Sequence, residues 1–148
     1  MKRTTIRNWL VAAALVLLGS DNLTANPTRE ERSNVRVHYL EIVCADVVAQ
    51  CAALERVHGL SFGSSVPDLG QARVAEALDG SWIGVRAPLA EHEQPIIRSY
   101  LEVDDIAKAV ADAEEAGAVV AYPPTRQGDT GTWAIYILGG VQIGLWQE

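Results

Sequence analysis

No apolar run in this chain is long enough to cross a bilayer as a helix. The longest, residues 9–18 (WLVAAALVLL), has ten residues, and a spanning helix needs roughly 20. Positive charge is also scarce: 12 Lys and Arg stand against 19 Asp and Glu, for a formal charge of −7. Phosphate backbones and anionic lipid repel such a chain, which argues against nucleic-acid and membrane partners and for a small molecule or a protein. Nucleophile templates are missing too. There is no Gly-x-Ser-x-Gly, no Walker-type phosphate loop, and no Cys–His pair at a recognisable spacing. Only two cysteines occur, Cys44 and Cys51. A disulfide between them has to be weighed wherever a chain meets an oxidising compartment. A strand end and a helix two turns on would barely bring the Cα atoms within the ~7 Å a bridge needs, so two small buried apolar side chains fit better.

What is present begins with an export signal. Lys2, Arg3 and Arg7 precede the ten apolar residues, and Leu23-Thr24-Ala25 is an acceptable cleavage triplet. A lipoprotein would place Cys after Leu17-Leu18-Gly19; this chain has Ser20. The expectation is a signal peptide over 1–25 and a periplasmic or secreted mature protein. Those residues hold three bases against Asp21, so their removal takes the formal charge from −7 to −9. About 120 residues remain, enough for one core but not two. Residues 26–34 (NPTREERSN) are polar and aperiodic and read as a linker.

The mature part repeats one pattern. Residues 35–44 read as a strand. Asp46 caps a helix over 47–58, with apolar or small residues at Val47, Val48, Cys51, Leu54 and Val57 and a stop at Gly59. A short strand over 60–65, a turn at 67–70, and strands over 72–78 and 82–87 around Asp79-Gly80 follow. After a polar connection at 88–95 the order returns. A strand covers 96–103, and Asp104 or Asp105 caps a helix whose stripe is Ile106, Val110 and Ala113, stopped by Gly117. A strand over 118–122 ends at Pro123-Pro124, and a hairpin joins 133–138 to 141–146. Strand, helix and three strands, twice over, is a fold-level signal.

The second half carries YLEVDDIAKAV at 100–110, AGA at 116–118, Pro123-Pro124 and IGLWQ at 143–147. In the first half Glu41 stands five residues before Asp46, a spacing common in a hydroxylase-like branch. On these motifs the mature chain, about residues 35–147, resembles the vicinal-oxygen-chelate superfamily, which includes glyoxalase I, extradiol dioxygenases and bleomycin-resistance proteins. The resemblance implies an α+β fold of two βαβββ modules, about 35–88 and 96–147, forming a cup-shaped, partly open barrel. It also implies a homodimer as the commoner assembly.

Enzymes of the superfamily hold a divalent metal in the cup through His, Glu or Gln. The matching positions here are Tyr39, Gly84, Arg98 and Gly144, which offer no three-donor set, and Arg98 would set a fixed cation against the ion. His38 is one residue out of register and points to the other strand face unless a bulge turns it. Glu41 and Glu102 are the remaining improvised donors. No cofactor is therefore expected.

In family register the concave face carries Tyr39, Glu41, Val43, Arg98, Tyr100 and Glu102, with Gln142, Gly144 and Trp146, and with Trp82, Gly84 and Arg86. No face is assigned to Trp133. The candidate ligand-binding residues are Tyr39, Glu41, Trp82, Arg86, Arg98, Tyr100, Glu102 and Trp146. Aromatic walls with a few convergent charges suit a small aromatic or anionic compound. Arg86 and Arg98 either fork onto a ligand anion or neutralise Glu41 and Glu102. The double change Arg98→Met with Glu102→Gln is expected to fold about as well as wild type and no longer to bind the ligand. Glu41 is the best acid or base candidate. Two functions stay open: a metal-free small-molecule binder, and an atypical glyoxalase-, lyase- or dioxygenase-like enzyme.

Overall fold

Asp46 and Asp105 start the two helices in the same way. Each lends a carboxylate oxygen to the backbone N–H three residues on, Ala49 and Lys108, at 2.9 Å, which satisfies a donor the helix leaves free. The computed structural model describes residues 35–148; the signal and linker readings lie outside them. The elements are β1 (Val37–Val43), α1 (Val47–His58), β2 (Ser65–Val66), a 3-10 turn (Pro67–Leu69), β3 (Ala72–Glu76) and β4 (Trp82–Arg86), then β5 (Ile96–Glu102), α2 (Ile106–Glu115), β6 (Val119–Gln127), β7 (Gly131–Leu138) and β8 (Val141–Gln147). None of the described helices is long and apolar enough to cross a membrane.

The eight strands form one mixed sheet in the order β2-β3-β4-β1-β5-β8-β7-β6, with its outermost strands not joined into a closed barrel. Each module supplies four neighbouring strands. The modules meet at the antiparallel pair β1–β5, while β1–β4 and β5–β8 are parallel. Tyr39 therefore lies opposite Tyr100, and Glu41 opposite Arg98.

Helices cover one face of the sheet. Cys51 of α1 is buried with Phe62, Ala75 and Val85, and Ile106 and Val110 of α2 with Ala134 and Leu145. The other face gathers Tyr39, Tyr100, Ile135 and Trp146. Val48 and Val57, expected on the α1 stripe, are exposed. The buried line runs through Val47, Cys51 and Leu54, at the three- and four-residue steps that keep side chains on one helix face. Cys44 and Cys51 are free thiols in that same cluster.

Two expected strands differ. Of residues 60–65 only Ser65 belongs to a strand; ahead of it Gly63 N–H reaches the Val74 carbonyl at 2.9 Å, and the Arg73 guanidinium takes the carbonyls of Phe62 and Gly63 at 2.9 and 3.0 Å. β6 does not stop at Pro123-Pro124 but runs to Gln127. It is an edge strand, where proline removes no ladder bond. Register shifts between Val120 and Tyr122 and between Tyr122 and Thr125 each absorb one extra residue.

Candidate functional site

Alternation along β1, β4, β5 and β8 sends Glu41, Arg86, Arg98 and Gln142 to the face that lacks helices, where they line a cavity of about 540 Å³. Glu41 is the hub. Arg86 Nε donates to its Oε1 at 2.6 Å, Arg98 Nη1 donates to its Oε2, and the Tyr100 hydroxyl donates to that same oxygen at 3.3 Å. All three ionised side chains are more than nine-tenths buried. The far side of each guanidinium is also engaged. Arg86 makes a bidentate pair with Glu93 at 2.7 and 2.8 Å. Arg98 donates twice to Gln142 Oε1, at 3.0 and 2.6 Å. This arrangement fixes the Gln142 amide and leaves its NH2 group without a partner among the described residues.

The four charges cancel: two arginines face two glutamates. Burial opposes the Arg86 charge, but the Glu93 and Glu41 carboxylates outweigh it and hold its proton more tightly. The Arg86 hydrogen bond keeps the Glu93 carboxyl down at about 2. Burial first, and Glu41 second, push the Tyr39 and Tyr100 phenols upward, so both stay neutral near pH 7.

The walls are aromatic. Tyr39 and Tyr100 lie 5.6 Å apart between ring centres, and Trp146 meets Tyr100 edge-on at 6.4 Å. Trp133, to which no face was assigned, turns inward and pairs with Tyr122 at 5.6 Å. Six of the eight candidate residues line the cavity: Tyr39, Glu41, Arg86, Arg98, Tyr100 and Trp146. Trp82 and Glu102 do not. Trp82 braces the inner cluster from beside His38, and Glu102 turns to Arg36 at the strand end. Arg98 therefore serves Glu41 and not Glu102. Glu93 was missed because it sits in the aperiodic connection at 88–95. The only signal for it was arithmetic, since Glu41 alone cannot balance two inward arginines.

No family model and no curated protein matches the chain by sequence. Solved structures do match in shape. Streptomyces coelicolor methylmalonyl-CoA epimerase in complex with 2-nitronate-propionyl-CoA aligns over 76% of this chain and 96% of its own, with 19% identity and a TM-score of 0.58. The methylmalonyl-CoA epimerase of Mycobacterium tuberculosis aligns over 75% and 86%, at 21% and 0.58. A glyoxalase/bleomycin resistance protein/dioxygenase superfamily member from Vibrio splendidus 12B01 aligns over 77% and 99%, at 17% and 0.57. The fold is that of the vicinal-oxygen-chelate superfamily.

Within that fold, the positions matched to the superfamily's metal ligands do not suit a cation. A Cβ built on Gly84 would collide with the Tyr39 phenol, and one on Gly144 with the Tyr100 ring. The two phenols thus fill the space that ligating side chains from β4 and β8 would use. Arg98 is already paired, and both oxygens of Glu41 face guanidinium groups. A bulge does lie between Val37 and Tyr39. His38 stacks its ring on Trp146 at 4.9 Å, so the bulge exception allowed for His38 is the one that holds.

Proposed function

We propose that this chain is a vicinal-oxygen-chelate-fold binder of a small aromatic compound that carries an acceptor oxygen, working without a metal at the superfamily's usual position. The aromatic cavity over a self-neutralised floor supports this reading. With Arg86 and Arg98 both matched by carboxylates, an anion gains no uncompensated positive charge there. Stacking surface and the free Gln142 amide are what the cavity offers. This favours the aromatic half of the expectation over the anionic half. The epimerases of similar shape act on or hold CoA esters, as their names state, and here that likeness carries the fold alone.

The test is a thermal-shift screen of the wild-type protein, with neutral phenols and aromatic amides set against aliphatic carboxylates. Aromatic compounds are expected to raise the midpoint. Tyr122→Ala, at an exposed cavity wall, should weaken the best of them by up to about tenfold through lost ring contact. Preference for aliphatic carboxylates, or no shift with any compound, would sink the reading.

The same reading places the protein outside the cytoplasm as a homodimer. The basic start and apolar run of residues 1–25 support export. The two sheet edges, β2 and β6, support pairing of copies. N-terminal sequencing of envelope protein should begin near Asn26, and light scattering should report two chains.

A further inference from the structure

Away from the cavity, the ends of three neighbouring strands bring together His38 of β1, Glu102 of β5 and Glu148 just after β8. One donor atom from each lies within 4.8 Å of the other two. His38 Nδ1 is 3.6 Å from Glu102 Oε2 and 3.6 Å from Glu148 Oε1. Donors around a tetrahedral ion with bonds of about 2.1 Å stand roughly 3.4 Å apart, so two of the three separations are nearly right already.

His38 is the second, independent sign. Its side chain is 91% buried, leaving 9% exposed, yet Nδ1 has no hydrogen-bond partner among the described residues. An orphaned buried nitrogen costs free energy unless something satisfies it. The bulge between Val37 and Tyr39 aims it, and the stack on Trp146 holds the ring.

We propose that His38, Glu102 and Glu148 bind a divalent transition-metal ion, Zn²⁺ for example, with open positions left for water. One imidazole nitrogen and two carboxylates suit Zn²⁺, Co²⁺ or Mn²⁺ better than Mg²⁺, which prefers oxygen alone. Arg36 is the present counter-ion, paired with Glu102 and within 3.7 Å of Glu148. Its side chain is 46% exposed, so it can swing into water while the ion takes its place. The ion would join β1 of the first module to β5 and β8 of the second, so loading should stiffen the seam between them. None of the three residues lines the cavity, and the proposal stands whether or not the cavity binds an aromatic compound.

Calorimetric titration of the protein with Zn²⁺ alone tests it, with Co²⁺ quenching of the Trp146 emission as the local readout. One ion per chain is expected, with a rise in thermal midpoint. His38→Phe keeps the ring stack and removes the nitrogen. Should that variant fold poorly, Glu148→Gln, at an exposed site, carries the test. Each should weaken binding at least about tenfold. Arg36→Gln should tighten it, because the competing cation is gone. No binding up to about 1 mM, binding unmoved by both donor changes, or weaker binding in Arg36→Gln would each overturn the proposal. Zinc held by Cys44 or His58 instead would show as the second of these results.

Discussion

Replacing Glu41 with Leu leaves two buried guanidinium groups without the carboxylate they share. The expected cost is ~3–5 kcal/mol, since an unpaired buried charge is worse than no charge at all. Urea unfolding checks it. Glu41→Gln with Arg98→Met should recover most of the loss, because Arg86 keeps Glu93 as its partner. The pair Arg98→Met with Glu102→Gln should instead cost stability of its own. That change removes a cation from Glu41 and a carboxylate from Arg36, two separate sites. Equal stability of the two double variants would mean that the partners are misassigned. Alternation along the strands made Glu41, Arg86 and Arg98 legible in the sequence as neighbours. It misplaced Glu102, because facing inward at a strand end does not amount to reaching the cavity. Glu93 had no periodicity to reveal it.

At the level of elements, both helices and their caps were readable because each cue is local: Asp at the start, glycine at the stop, apolar residues three and four apart. What strands pair with is not local, and there the sequence said less. Gly84 and Gly144 looked only like missing metal ligands; the structure shows them as the seats of Tyr39 and Tyr100. Gly84→Ala and Gly144→Ala should therefore each destabilise by about 1–3 kcal/mol through overpacking. Tyr39→Leu should offset part of the Gly84→Ala loss and none of the Gly144→Ala loss, a difference a double-mutant cycle reads directly. β6 teaches the complementary lesson. Pro123-Pro124 looked like a terminator, yet an edge strand tolerates proline and gains protection from it. Exchanging both for Val should flatten the edge and leave a run of backbone donors exposed. Light scattering should then rise with protein concentration beyond the wild-type level, and an unchanged profile would show that the bulges alone guard the edge.

For the whole molecule, the duplication about Asp46 and Asp105 was visible in the pattern, and the βαβββ count followed from it. How the halves join, through β1 and β5, came only with the structure, because no local signal marks one strand as the seam. The halves are also linked covalently through residues 88–95, and this connection is pinned by one residue. Glu93 accepts from both terminal nitrogens of Arg86 and from the Leu89 amide at 2.7 Å. Its carboxyl is lowered from 4.5 to about 2, chiefly by the Arg86 hydrogen bond. A group whose folded value is depressed contributes stability above its unfolded value and loses it as pH falls toward the folded one. The Glu93 contribution should thus be complete above about pH 4.5 and fade as the pH approaches 2. Comparison with Glu93→Gln isolates it from the other carboxylates. The gap in urea midpoint between wild type and variant should be constant from neutral pH down to about 4.5, then narrow steadily toward pH 2. A gap that held its full width at the acid end would mean that Glu93 acts by shape and hydrogen bonding alone, and the charge pairing assigned to the connection would fall.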